Sequence, residues 1–354
     1  MKILRLTTLL DFGGQEKQYL SFTEKPKLLN HQYIFAAIGF GGNAENVLRD
    51  RGFPVYVLNR NFSIRNLSNI FFLYQFIRKV KPDVVHTAAA EANFHGILAA
   101  KLAGVKTIIG EEIGIPNHSS IARKIFSAVY RLTNKVICVS QSVKSHLVQT
   151  GEINKDKGVV VYNPVSFSEI YCRKTADTFM MVYVGRLEKV KNVDTLLRAF
   201  SKIQNIGVEL TIVGDGRERV HLESLANELN ILKRVSFKGF QKAPANFIAL
   251  ADLFVLPSYS EGFGIAAVEA MFQKVPVLCS NVGGIPEFVK ENENGWLFNP
   301  NDIDELASKL ESIILKTPEE RKRIGEKGYT DVIDQFTVEK YIKNLENIYS
   351  EIHG

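Results

Sequence analysis

Along most of the chain, short runs of β-branched and apolar residues alternate with longer stretches in which apolar residues recur every three or four positions. Runs of the first kind suit strands buried on both faces of a parallel sheet, and stretches of the second kind suit the helices that cross between them. Strands are expected at 2–7, 32–38, 54–58, 83–86, 106–109, 135–139 and 158–161, with helices between them. A helix over 67–81 should stop at Pro82 and one over 93–103 at Gly104. The pattern pauses at Tyr162-Asn163-Pro164-Val165 and stays irregular to about Thr178, as a hinge between domains would. A second alternation follows, with strands at 180–184, 208–213, 235–238, 253–256 and 276–279 and helices at 193–203, 220–229 and 265–272. The closing stretch 337–352 reads as a helix with no strand after it. Two doubly wound α/β domains, 1–165 and 166–336, are therefore expected, with a substrate in the cleft where the strand ends face each other.

Length and composition narrow the class. A chain of 354 residues is long for one core, and 45% hydrophobic with 23% charged residues describes a soluble globular protein. No apolar run approaches the roughly 20 residues that span a bilayer. In MKILRLTTLLDFGG the apolar stretch is broken by Arg5 and no small-residue cleavage site follows, so it reads as a first strand entering a glycine loop rather than a signal peptide. Cys138, Cys172 and Cys279 are too far apart for a metal cluster and odd in number, which fits a reducing cytoplasm. Charge is uneven: residues 1–165 carry 21 Lys and Arg against 11 Asp and Glu, whereas 166–354 carry 23 against 27. The basic half should face an anionic membrane surface or a lipid-linked phosphate. Nucleic acid is not expected as a partner, because no aromatic-interleaved basic motif is present.

Several segments carry chemistry. Gly13-Gly14 follows the first strand and opens the helix expected at 15–22, so its backbone N–H groups can approach a phosphate. A plain tight turn is the alternative. Gly185-Arg186-Leu187-Glu188-Lys189-Val190-Lys191-Asn192 follows a strand, so Arg186 and Lys191 can converge on a diphosphate, one as a planar fork and the other as a point charge. The alternative is a solvated basic loop. The strongest segment runs from Pro257 to Met271. Glu261 stands on a loop after an apolar strand, Gly262 and Gly264 flank Phe263 and free the backbone, and a helix opens at Ile265 with N–H groups facing a phosphate or sugar. Glu269 lies a turn into that helix among Ala267, Val268, Ala270 and Met271, where a carboxylate wants a ligand or a partner.

Val213-Gly214-Asp215-Gly216 and Val282-Gly283-Gly284-Ile285-Pro286-Glu287 also stand at strand ends. The first is not a dinucleotide fingerprint, since Arg219 occupies the third glycine position. Asp302 and Asp304 could mark a metal-dependent sugar transferase, but they follow Asn299-Pro300 and open a helix, so capping explains them better.

In this order and spacing, Gly13-Gly14, the G-R-L-x-x-x-K-N segment, Gly214-Asp215-Gly216, P-S-x-x-E-G-F-G with Glu261 and Glu269, and Gly283-Gly284-Ile285-Pro286-Glu287 resemble the retaining glycosyltransferases of family four, of the GT-B fold. The resemblance covers nearly the whole chain and is most specific from Gly185 to Glu287. It implies two facing Rossmann-like domains, the first for acceptor and the second for donor, and a last helix, 337–354, crossing back to the first. It further implies that Arg186 and Lys191 bind the diphosphate of a nucleotide sugar, favouring UDP, that Glu261 faces the donor sugar and that Glu269 binds ribose. Gly13, Gly14, Gly214, Gly262, Phe263, Gly264 and Ile265 fall on donor-binding positions. No essential metal or other cofactor is implied, and the anomeric configuration is retained by a front-face route in which the departing phosphate oxygen helps deprotonate the acceptor.

One position departs from the pattern. The family usually carries a histidine after the strand matched by 106–109, whereas this chain reads Gly110-Glu111-Glu112-Ile113-Gly114. Either Glu112 does the positioning work of that histidine, which is the favoured reading, or His118 reaches in from the following loop, or activity is reduced. His86 matches another histidine frequent in the family, though a lone histidine at a strand end is more often structural. A glycan or lipid-linked acceptor in surface-polysaccharide assembly fits the resemblance, at the inner face of the membrane. Arg60, Arg65, Arg78, Lys79 and Lys81 around Phe71-Phe72-Leu73-Tyr74 suit that surface, the alternative being an ordinary amphipathic helix packed on the sheet. A catalytically silent sugar-nucleotide-binding subunit is the competing function, and a sugar-nucleotide epimerase lacks the acid and base it needs.

Overall fold

The computed structural model describes residues 1–166, 178–204 and 207–353. Cys172 and the hinge stretch over 167–177 lie outside them. The chain divides into two compact units, Met1–Val165 with Thr337–Gly354, and Ser166–Phe336.

The first unit holds a seven-stranded sheet of β1 (Lys2–Thr7), β2 (Gln32–Ala37), β3 (Val55–Val57), β4 (Val84–Ala88), β5 (Thr107–Glu112), β6 (Lys135–Cys138) and β7 (Gly158–Val160). All pairs are parallel, in the order β3-β2-β1-β4-β5-β6-β7. The second unit repeats the plan with β8 (Phe179–Val184), β9 (Val208–Val213), β10 (Val235–Phe237), β11 (Leu253–Leu256), β12 (Val277–Ser280) and β13 (Trp296–Phe298), ordered β10-β9-β8-β11-β12-β13 and again parallel. These are two Rossmann-like α/β units, and in each the strand order reverses once, between β1 and β4 and between β8 and β11. Sheets of this kind bind ligands at the carboxyl ends of the strands beside that reversal.

Helices cover both faces of the first sheet. On one face the helices Ser68–Val80, Ala90–Leu102 and Ser120–Arg131 lie side by side. On the other, Gly14–Thr23 packs against the final helix Val338–His353 through Tyr19, Phe22, Tyr341, Leu345 and Tyr349, in one core with Phe35 of β2. The final helix thus belongs to the first unit although 171 residues of the second unit precede it in the chain.

Two elements differ from the pattern-based expectation. The fifth strand runs on past Ile109 to Glu112, because Gly110 and Glu111 pair with Thr87 and Ala88 of β4 while Glu112 pairs with Cys138 of β6. Two carboxylates in a buried strand run against strand preference, and their side chains, described below, account for it. The three-residue strand Trp296–Phe298 was not expected, being too short to show a period. Arg5, which breaks the first apolar run, is fully buried in β1 and bonds Glu111 at 2.8 Å.

Candidate functional site

At the reversal in the second sheet, the loop leaving β8 and the loop leaving β11 meet. Tyr259 N–H donates to the Val190 carbonyl at 2.8 Å. Lys191 Nζ donates to Glu261 Oε1 at 2.6 Å, and the buried Ser258 hydroxyl donates to the same oxygen at 2.7 Å. The lysine and the glutamate, expected to serve diphosphate and sugar separately, are therefore one ion pair, with side chains 21% and 11% exposed. Both remain reachable from outside, so a phosphate can share the ammonium while a sugar hydroxyl shares the carboxylate. Arg186 stands exposed at the exit of β8 and enters no ion pair among the described residues. Its carbonyl accepts from the buried Tyr183 hydroxyl at 2.9 Å, which holds the loop from below.

Glycines let these loops stack. Gly214 has φ +136°, and a Cβ there would stand 1.9 Å from the Gly185 carbonyl oxygen. Gly283, at φ +55°, lies as close to the Glu261 carbonyl: a Cβ would come within 1.7 Å. Loops 214–216 and 283–284 thus brace the Arg186 and Glu261 loops. Gly264 caps the helix Ile265–Phe272 in a left-handed conformation, so Gly262, Gly264 and Ile265 bring its N-terminus to the strand ends. The Phe263 ring is buried against Phe288 and Phe336, at 5.4 and 5.0 Å, so only its backbone faces a ligand. Glu269 is half-buried in the second turn, among the buried Ala267, Val268, Ala270 and Met271.

Asp302 caps the helix Ile303–Ile314, its carboxylate accepting from Glu305 N–H at 2.9 Å, and Asp304 pairs with Lys202. The Asp-x-Asp pair is thereby accounted for by helix capping and an ion pair.

In the first unit Gly13 caps the helix Gly14–Thr23 just beyond β1, with Gly14 exposed as its first residue. The exit of β5 carries two neighbouring carboxylates on opposite faces of the sheet, as adjacent strand residues must be. Glu111 lies on the side of Gly14–Thr23. There it accepts from Arg5 at 2.8 Å and from Gln18 at 2.6 Å, and His86 Nε2 stands 3.2 Å away. Burial pushes this carboxyl up, but the Arg5 guanidinium, His86 and Gln18 outweigh it and hold it at about 2. His86 is pushed down to about 4 by burial and by Arg5, and its Nδ1 meets the Tyr349 hydroxyl at 2.7 Å. This histidine is a neutral structural group that ties the final helix to the sheet.

Glu112 faces the other way. Its Oε1 accepts from the Tyr130 hydroxyl and from Asn93 Nδ2 at 3.2 Å. Burial raises it to about 7 against those two bonds and the nearby His118. His118 is stacked on Phe126 at 4.3 Å and bonds the buried Glu152 at 2.9 Å, a contact that raises its own pKa. Glu112 and His118, posed as alternatives, are thus neighbours in one cluster.

Residues 173–331 match the model of Glycosyl transferases group 1, and residues 12–169 that of Glycosyltransferase Family 4. An uncharacterised glycosyltransferase of Methanocaldococcus jannaschii is 30% identical over 276 residues, 76% of each chain. The chain belongs to glycosyltransferase family 4. It is an enzyme of the GT-B fold. The family 4 chain is also 27% identical, over 85% of its length and 84% of the other, to an Escherichia coli UDP-Gal:alpha-D-GlcNAc-diphosphoundecaprenol alpha-1,3-galactosyltransferase. In fold it is similar to Anabaena HepE, solved in complex with UDP and glucose, with a TM-score of 0.86 at 23% identity over 99% of this chain and 100% of that one.

The sequence reading overlooked Ser258, Tyr183, Asn93 and Tyr130. Ser258 sits within the segment quoted for Glu261 and could have been found there. The others act across the fold and leave no local signal.

Proposed function

We propose that this glycosyltransferase moves a hexose or N-acetylhexosamine from a UDP-sugar, with retention, onto a glycan or lipid-linked acceptor in surface-polysaccharide synthesis. The observation that carries the reading is the Lys191–Glu261 pair at the reversal of the second sheet, held by Ser258 and beside the exposed Arg186. As the bond from the anomeric carbon to the diphosphate lengthens, Arg186, Lys191 and the N-terminus of Ile265–Phe272 offset the charge growing on the leaving group. Glu261 holds a sugar hydroxyl, and Glu269 takes the ribose. The leaving phosphate oxygen accepts the proton of the acceptor hydroxyl while the new glycosidic bond forms on the same face. Glu112 takes the part of the family's histidine.

Relatives support the chemistry. The Escherichia coli enzyme is named for UDP-Gal and a diphosphoundecaprenol acceptor, and a Staphylococcus aureus relative, 26% identical, for capsular polysaccharide biosynthesis. The reading expects no essential metal, since Asp302 and Asp304 are taken up by a helix cap and an ion pair. Incubation with a panel of nucleotide sugars, measuring nucleoside diphosphate release with and without a chelator, tests this. UDP-sugar turnover untouched by the chelator is expected, with an α-linked product from an α-linked donor. Binding without turnover on any acceptor supports the silent subunit instead.

The reading also places the basic first unit at the inner face of an anionic membrane. No helix among the described residues is long and apolar enough to cross a membrane. The helix Ser68–Val80 buries Leu73 and Ile77 while Phe71 and Phe72 stand 59% and 43% exposed, with Arg78 and Lys79 exposed on the next turns. Sedimentation with vesicles containing phosphatidylglycerol, but not with neutral vesicles, is the expected result. Equal partition between the two excludes the anionic surface.

A further inference from the structure

Asn93 is fully buried in the first turn of the helix Ala90–Leu102, and every part of its amide is engaged. Its oxygen accepts from the Thr87 hydroxyl at 2.7 Å. Its nitrogen reaches the Glu111 carbonyl at 2.9 Å, and Glu112 Oε1 and the Tyr130 hydroxyl at 3.2 Å each. Tyr130 is buried at the end of Ser120–Arg131, and it lies against the backbone of β5: a Cβ on Gly110 would meet its ring at 3.3 Å. Side chains from two helices therefore converge on one carboxyl oxygen, and Thr87 of β4 fixes one of them. The other oxygen of Glu112 has no hydrogen bond among the described residues, and it stands at the carboxyl end of a strand beside the reversal, where such sheets take their ligands. A fully satisfied buried network of this kind holds its members in one geometry, so Oε1 is fixed while Oε2 is left to other partners.

We propose that Asn93 and Tyr130 are positioning residues for Glu112, fixing Oε1 to the protein so that Oε2 presents its proton to an oxygen of the bound sugar substrate. The inference rests on the reading that Glu112 serves where the family has a histidine. A protonated carboxyl donates a hydrogen bond as a ring N–H does, and it ceases to donate once ionised. The groups that shape its titration are Tyr130, His118 from the β5 exit, Asn93 and Glu152 after Gln141–Gln149, and the neutral thiol of Cys138 on β6 is itself pushed up by burial and by Glu112. Of these, Tyr130 bonds the ionised form best, so removing its hydroxyl makes ionisation harder.

The test is the pH profile of kcat/KM for nucleotide-sugar turnover in the wild type, Tyr130→Phe and Glu112→Gln, each with its thermal midpoint. The wild type is expected to lose rate as pH rises through about 7. Tyr130→Phe should shift that limb upward by about one unit and lower kcat/KM about tenfold, with the ring packing kept. Glu112→Gln, which cannot ionise, should lose the limb altogether. A Tyr130→Phe profile coincident with wild type, or a fall in thermal midpoint with the limb unmoved, overturns the inference. So does a limb that survives Glu112→Gln, since it then belongs to His118. If the wild type turns over no nucleotide sugar, the functional reading fails first and the inference falls with it.

Discussion

The two sheet reversals are built on the same topology and handle charge in opposite ways. In the second unit, Lys191 and Glu261 neutralise each other in a partly open pair, and tight glycine contacts hold the loops that carry them. In the first, Glu111 and Glu112 are buried on opposite faces of one strand, where Arg5 keeps one ionised and burial raises the other to about 7. A site that must meet a diphosphate needs exposed cations and freedom of approach. Two adjacent carboxyls whose pKa values are driven apart mark instead a division of labour, with one structural and one available for proton-dependent contact.

That contrast can be broken in several ways. The largest effect is expected from Glu111→Ala, which leaves Arg5 buried without its carboxylate. Stability should fall by about 3–5 kcal/mol in urea unfolding, and a loss under about 1 kcal/mol would mean that the pair is not structural. Lys191→Ala should do the reverse, leaving stability within about 1 kcal/mol while turnover drops a hundredfold or more, about 2.7 kcal/mol of barrier. Near-normal turnover there removes the lysine from the donor site. Gly214→Ala forces a methyl against the Gly185 carbonyl at positive φ and should cost about 1–3 kcal/mol together with donor affinity, read by calorimetry with UDP.

The pH response should separate the two carboxyls, by on the order of 2 kcal/mol each. Because burial lowers the His86 pKa to about 4, the folded state binds fewer protons than the unfolded one, and stability is lost as pH falls from about 6.5 towards 4. Glu111 adds to that loss on further acidification towards 2. Glu112, raised to about 7, acts the other way, its share being lost as pH rises from about 4.5 through 7. Thermal midpoints for Glu112→Gln that decline with alkalinity as steeply as wild type would contradict this. The smallest effect belongs to Asp302→Ala, which removes a helix cap and should cost about 1 kcal/mol with turnover intact. A collapse of activity would return the Asp-x-Asp pair to metal chemistry.

Much of the second unit's site was legible because its motifs are local. Gly185 to Asn192 and Pro257 to Glu269 each sit on one strand exit, and Gly264, at φ +101°, stands three residues from Glu261. The first unit's site was not. Glu112 was singled out only as a departure from the family pattern, and its strand was placed three residues short, since Gly-Glu-Glu carries no strand period. What holds it comes from 18 residues away at Tyr130, which appears in the chain as one more apolar position of an amphipathic helix.

By itself, the sequence determined the α/β alternation, the chain positions at which it breaks, and the family, because burial period and strand-exit motifs are written along the chain. Only tertiary structure decided which charges meet. It placed Arg5 beneath Glu111, set Tyr349 against His86, and joined Lys191 to Glu261 across 70 residues. Protonation follows from such meetings, since a carboxyl takes its state from the groups folding brings within a few ångströms and from the water it excludes. Glu111 and Glu112 are neighbours in sequence and share one residue type, yet folding sets one to about 2 and the other to about 7.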